Sequence, residues 1–420
     1  MMNRLKWIFC LVTLTMLLAG GRMAPAQDIV VGFSGPLSGI ASDYGTDMYN
    51  GLAMAANEIN AEGGVLVNGK RHPIKVLRLD DGVDPTRSLN NARRFRAEGA
   101  IAIFNGVYST MTPLLKINQE KGQEFIMMAF TSTPGVTEMG NKLLICPSTP
   151  FTVNVDLYTD WAKAKGYKKG AMAVTLGAYG NEWREAFRKS WEKKGGVITA
   201  DKPANYYTET DFSSQLTAAL TTRPDFMLIG GPSAATALVI EQARGMGFKG
   251  GFVLIDQAKV DTITEMLRGR KLIGTAIAIA GIGNMPDGAA KRWALKYQGI
   301  YKKVATWEGS LHYLMLHSLA RAITAAGTTT DVYQIRAAYP KILPMTLGDY
   351  PKGFPMELLG VTEKGRWQMF TSIQPIHNGE LDIISQYAWW VKSEQEFKEF
   401  SKRSQMNVKG IVQKWHKMPD

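Results

Sequence analysis

The stretch from Ile29 to Gly64 constrains this chain more than any other. Ile29-Val30-Val31-Gly32-Phe33 is a short apolar, β-branched run of the kind that forms a buried strand. It runs into Ser34-Gly35-Pro36-Leu37-Ser38-Gly39, a loop of small, turn-forming residues. A helical pattern begins near Gly45, with Met48, Leu52, Ala55, Ala56 and Ile59 on one apolar face. Gly63-Gly64 ends it, because glycine tolerates left-handed backbone angles. A strand, a small polar loop and a helix together put backbone N–H groups at the carboxyl edge of a sheet, where open α/β sheets bind ligands. A plain βα connection gives the same pattern, so this unit alone leaves both readings open.

The unit then repeats. Ile101–Phe104 leads into a polar loop containing Tyr108, Ser109, Thr110 and Met111, and the pattern predicts a helix from Pro113 to about Lys121. Phe125–Ala129 leads into Phe130-Thr131-Ser132-Thr133-Pro134. From Thr152 the series starts again. A helix through Leu157 and Trp161 precedes the strand Gly170–Val174, whose exit loop holds Tyr179 before Gly180. Trp183, Phe187 and Trp191 form an apolar helical stripe, which burial habits assign to the core. Phe226–Ile229 exits through Gly230-Gly231-Pro232-Ser233, and Phe252–Ile255 runs straight into Asp256-Gln257. Two tandem βα arrays predict an α/β protein of two doubly wound, Rossmann-like lobes. A chain of 420 residues is in any case too long for one ordinary core. Strand ends gain little stability from Ser and Thr, whereas a bound carboxylate would use every hydroxyl.

The first 26 residues do not share this pattern. Arg4 and Lys6, an apolar run from Trp7 to Ala19, and Ala24-Pro25-Ala26 read as a cleavable secretion signal that leaves Gln27 as the first mature residue. The run is short for a spanning helix, and no Cys follows it for lipidation. Cleavage would remove Arg4, Lys6 and Arg22 and no acid, so the formal charge falls from +12 to +9. The remaining basic residues are scattered, which speaks for a solvated surface and against nucleic acid. Cys10 leaves with the signal. Cys146 is then alone in an apolar run and is expected to be a buried, inert thiol.

No catalytic signature stands out. There is no G-x-S-x-G elbow and no P-loop, and His72, His312, His317, His377 and His416 do not pair at metal spacing. Ser and Thr without a recognisable base remain hydrogen-bond donors. The expectation is binding without turnover and without a cofactor.

Several motifs in order resemble the leucine/isoleucine/valine-binding protein family, the type I periplasmic solute-binding proteins of ABC importers. They are Asn57-Glu58-Ile59-Asn60-Ala61-Glu62-Gly63-Gly64-Val65, the turn Asn68-Gly69, Ile74 to Asp81, and Asp84-Pro85. The resemblance runs from about Ile29 to about Gln374. It implies two lobes joined by three crossings, near Ser148, Ile279 and Gly360. Residues 27–148 and 280–360 would form the first lobe, 149–279 and 361–385 the second, and 386–420 a C-terminal extension without family counterpart, read as a surface helix.

The resemblance also assigns roles. Tyr108, Ser109, Thr110 and Met111, with Thr131, Ser132 and Thr133, match the loops that hold the ligand carboxylate. Met111 stands where a Ser commonly donates. Tyr179 matches a tyrosine that closes over the ligand, and Asp256 an acid that pairs with an α-ammonium group. Read from the residues alone, Asp256 serves equally as a helix N-cap. The expected function is a monomeric periplasmic binding protein that hands a small amphipathic carboxylate, a branched-chain amino acid first, to an ABC permease. Bulky Tyr108, Met111 and Pro232 keep an aromatic carboxylate or an amide as the alternative. A secreted enzyme and a DNA-binding repressor are the other rivals; no helix-turn-helix precedes Ile29.

Overall fold

The computed structural model describes residues 27–286, 288–347, 354–403 and 410–417, so the expected secretion signal lies outside the described residues. Among them no helix is long and apolar enough to cross a membrane.

The first lobe opens with β1 (Ile29–Gly35), α1 (Ser42–Ala61), the hairpin β2–β3 (Val65–Val67, Lys70–His72) and β4 (Ile74–Asp80). It continues with α2 (Pro85–Ala97), β5 (Ala102–Asn105), α3 (Tyr108–Ile117), β6 (Ile126–Ala129) and β7 (Leu144–Ile145). The five longer-range strands form a parallel sheet in the order β4-β1-β5-β6-β7. β5 and β6 are buried throughout, as strands covered on both faces must be.

The second lobe carries α4 (Phe151–Ala164), β8 (Lys169–Val174), α5 (Ala178–Lys193), β9 (Val197–Asp201), α6 (Ser213–Leu220) and β10 (Phe226–Gly230). α7 (Ser233–Gly245), β11 (Gly251–Leu254), α8 (Val260–Met266) and β12 (Ala276–Ile279) complete its parallel part. Phe187 and Trp191 meet Phe226 edge to face, and Trp183 stacks on Phe151, so the aromatic stripe is core as expected.

The chain then returns to the first lobe through α9 (Gly288–Tyr301), α10 (Trp307–Ala326) and α11 (Val332–Ala337). α10 is buried along most of its length and lies directly on α1. The two backbones approach at Gly51 and Gly309: a Cβ on Gly51 would stand 2.0 Å from the Gly309 carbonyl oxygen. Gly51→Ala gains helix propensity of about 1 kcal/mol. It must also push two helices apart, an overpacking cost of about 1–3 kcal/mol or more when backbone is struck. We expect a lower thermal midpoint, measurable by calorimetry; an unchanged or higher midpoint would mean that the helices shift freely.

The last crossing comes later than expected. Residues from Gly360 do not pass into the second lobe but form the hairpin β13–β14 (Gly360–Val361, Trp367–Gln368) on the first. Cys146 N–H donates to the Gly365 carbonyl (2.9 Å) and Trp367 N–H to the Cys146 carbonyl (2.9 Å), which holds the hairpin against β7. The chain crosses at Met369-Phe370 into β15 (Thr371–His377), then β16 (Glu380–Leu381). There Ala280 N–H, at the second crossing, donates to the Ser372 carbonyl (2.8 Å). The third crossing therefore lies between the other two and is bonded to each.

Beyond residue 385 the chain is not a surface appendage. β17 (Ile384–Ala388) pairs antiparallel with β15, and after α12 (Glu394–Arg403) the strand β18 (Ile411–Trp415) pairs parallel with β17. The second-lobe sheet thus runs β18-β17-β15-β12-β11-β10-β8-β9. β18 alternates half-buried and exposed residues, a strand signal hidden inside a basic stretch.

Candidate functional site

Three strand ends of the first lobe and three of the second face one another across a cavity of about 130 Å³, room for one small molecule. Lys259 of the second lobe forms an ion pair with Glu308 of the first (2.9 Å), and Ile40 of the first packs on the second-lobe core. The cleft is closed.

On the first-lobe side, Asn105 organises the loop after β5. Its Oδ1 accepts from Val107 N–H (2.9 Å) and from the Thr110 hydroxyl (3.1 Å), while its Nδ2 donates to Asp81 and Ser88 (both 3.3 Å). This buried network presents Gly106, Val107, Tyr108 and Ser109 to the cavity. Tyr44, from α1, donates to the Gly106 carbonyl (2.8 Å). Burial, then the negative charge of Glu308, holds the Tyr44 hydroxyl far above its usual range, so it stays a donor. The loop after β6 supplies Phe130, Thr131 and Ser132, and the first crossing adds Ser148 and Thr149.

On the second-lobe side, Tyr179 donates to the Asp256 carboxylate. Burial, then the Asp256 charge, raises the Tyr179 pKa well above the ordinary value; Ser132, across the cleft, works the other way. Gln257 Nε2 donates to the Tyr207 hydroxyl (3.0 Å), whose pKa burial pushes up to about 12. Lys259 Nζ donates to the Asp256 carbonyl and pairs with Glu308; the two side chains are 8% and 3% exposed. Of the cavity-lining residues, only Asp256 and Lys259 carry a charge, and Glu308 cancels that of Lys259. One carboxylate, Asp256, is left to dominate the lining.

The remaining lining is largely apolar: Leu176, Trp307, Leu311, Met369 and Phe370 join the rings of Tyr44, Phe130 and Tyr207. Phe370 is backed by Trp390 and Phe400 (ring centroids 5.2 and 6.4 Å), and Trp389 Nε1 donates to the Met369 carbonyl (2.9 Å). Among the described residues no three His, Cys, Asp or Glu side chains cluster as metal ligands. His312 lies behind Phe130, and burial lowers its pKa to about 3.

The periplasmic binding protein family matches residues 28–352. The chain belongs to that family. An amino acid binding protein from Pseudomonas aeruginosa is 26% identical over 308 residues, which are 71% of this chain and 79% of that one. A branched-chain amino acid transporter substrate binding protein from Streptococcus pneumoniae, solved with isoleucine, has a TM-score of 0.70 at 19% identity, covering 86% of this chain and 99% of its own. A solute binding protein of an ABC transporter from R. palustris, solved with benzoate, also has a TM-score of 0.70, at 15% identity over 84% of this chain and 95% of its own. At these identities the two structures speak for the fold alone, the two-lobed α/β architecture of type I periplasmic binding proteins.

Within this periplasmic binding protein, Tyr108, Ser109, Thr131, Ser132, Tyr179 and Asp256 line one cavity. The other expected residues lie elsewhere. Helix α3 begins at Tyr108, five residues before Pro113, so Thr110 and Met111 fall in its first turn. Thr110 is spent on Asn105, and Met111 is buried in the core with Ile103 and Phe125. Thr133 is fully buried outside the lining. Pro232 caps α7 and lines a separate small pocket with Ile40 and Asp47. Asp256 caps no helix, since α8 starts after Lys259. Sequence reasoning missed Tyr44, Tyr207, Lys259, Trp307, Leu311 and Phe370. Lys259 carried a signal, a lone base one helical turn after the site acid. Trp307 had another, an aromatic residue where the return helix begins.

Proposed function

We propose that this chain is the substrate-binding component of an ABC importer, exported to the periplasm, and that it captures a single amino acid with an apolar side chain. The observation that carries this reading is the carboxylate of Asp256, the one uncancelled charge in a cavity lined otherwise by apolar and neutral polar groups. An ammonium group there gains a counter-charge, whereas an anion alone would meet repulsion once water is expelled. The ligand carboxylate would lie on the opposite wall, where Thr131, Ser132 and Ser109 offer hydroxyls and the loops offer N–H groups. Nothing in this arrangement activates a nucleophile, so the ligand is handed on unchanged to a permease. The names of the amino acid binding relatives support the same reading.

A second reading keeps the fold and exchanges the guest for an aromatic carboxylate. It is favoured by the rings of Tyr44, Phe130, Tyr207 and Phe370 around the cavity.

A thermal-shift and calorimetric screen of leucine, isoleucine, valine, phenylalanine and benzoate separates the two. A ligand at about 100 times its dissociation constant adds roughly 2.7 kcal/mol to stability. We expect the aliphatic amino acids to raise the midpoint most. Stabilisation by benzoate alone would replace the first reading with the second.

A further inference from the structure

Arg366 sits in the hairpin β13–β14, outside the cavity, yet its guanidinium reaches two segments that line it, the loop after β6 and the first crossing. It is 3% exposed and has no acid within 4 Å among the described residues. Instead it donates to three backbone carbonyls: Thr131 (3.0 Å), Ser148 (2.9 Å) and Thr133 (2.7 Å). Its position is fixed by the backbone. Arg366 N–H donates to the Thr362 hydroxyl (3.0 Å), and Arg366 bridges Cys146 in the sheet. Gly365 takes φ +90°, and a Cβ there would strike the Leu144 carbonyl oxygen at 2.1 Å. The turn is built to deliver this side chain.

Burying a cation without a counter-charge is costly, and stability alone would be served by an apolar residue. The carbonyls of Thr131 and Ser148 belong to the peptides whose N–H groups are those of Ser132 and Thr149. Both of these residues line the cavity, and neither N–H has an acceptor among the described residues. A guanidinium on the far side of a peptide group draws its dipole into line, so the opposite N–H becomes a stronger donor. The positive charge itself also favours an anion on the cavity side.

We propose that Arg366 is the positioning residue that makes this cavity select a carboxylate over its neutral amide, by polarising the Thr131–Ser132 and Ser148–Thr149 peptides from behind. This rests on the carboxylate-binding role given above to these loops, but it holds for either guest. It leaves Asp256 to read the ammonium and Arg366 to read the acid.

Calorimetry with two matched pairs, leucine with leucinamide and benzoate with benzamide, tests it. The wild type should prefer the acid of whichever pair it binds. Arg366→Gln should weaken the acid by on the order of ten- to a hundredfold, the size of one buried charge at an effective dielectric of about 20, and change the amide far less. Arg366→Lys keeps the charge and should keep most of the preference, and it serves where the Gln variant fails to fold. Equal losses for acid and amide in Arg366→Gln, or loss of the preference in Arg366→Lys, would reduce Arg366 to a loop brace and overturn the proposal. A wild type that bound neither acid would overturn the underlying reading as well, and that outcome is visible before any variant is made.

Discussion

Asp256→Asn is expected to lower the affinity for leucine by some hundreds- to thousandfold while leaving the thermal midpoint of the unliganded protein nearly unchanged. The substitution keeps the size of the side chain, and Asn can still accept from Tyr179. What it removes is the counter-charge. Taking away one member of an ion pair that closure has dehydrated typically costs about 3–5 kcal/mol. Titration calorimetry at constant pH reads the effect directly. An aromatic acid should respond with the opposite sign, because the variant relieves a repulsion. Leucine binding that survived the change within a few-fold would place the ammonium elsewhere and remove the main support for an amino-acid guest.

The second large effect concerns closure rather than contact. Lys259 and Glu308 come from different lobes and meet almost fully buried. Lys259→Met would leave Glu308 dehydrated and unpaired, at a cost of about 3–5 kcal/mol that is felt only while the lobes are together. Affinity should fall by hundredfold or more, and small-angle scattering at saturating ligand should show a larger radius than the wild type. Adding Glu308→Leu removes the stranded charge and should restore much of the loss. A double variant as open and as weak as the single one would show that the pair does not govern closure.

Much of this architecture was legible from the chain because the central strands of the parallel sheets announce themselves, whereas β7, β9 and β12 do not. β5, β6 and β10 are apolar runs ending in loops of small or hydroxyl residues, and β11 lies in an apolar run that ends directly at an acid. That Tyr179 and Asp256 belong to the site was legible through the family resemblance alone, since an acid directly after such a strand serves equally as a helix N-cap; their hydrogen bond to each other was not legible. Residues one step off the loops were not. Pro113 reads as a helix start, but it sits inside α3, so the side chains of Thr110 and Met111 turn into the lobe rather than toward the ligand. Tyr44, Trp307 and Phe370 reach the cavity from elements far apart in sequence, and only closure of the lobes brings them to one wall. The late crossing at Met369 was hidden because the resemblance placed the crossing near Gly360, whereas that segment forms a hairpin whose partner, Cys146, lies more than two hundred residues earlier.

The bonding among the three crossings has a mechanical consequence. Cys146 is tied to the hairpin that precedes the third crossing, and Ala280 is tied to Ser372 just after it, so the linkers form a ribbon three strands wide. A hydrogen-bonded ribbon twists and flexes readily across its thin direction and strongly resists shear within its plane. Three separate tethers would let one lobe slide, swivel and tilt against the other. The ribbon removes the sliding and most of the swivel, leaving a door that swings on one edge. A swing along that edge would bring Tyr179 back to the same spot over Ser132, so the register of the two half-sites would be set at the spine of the molecule instead of being found anew by each ligand.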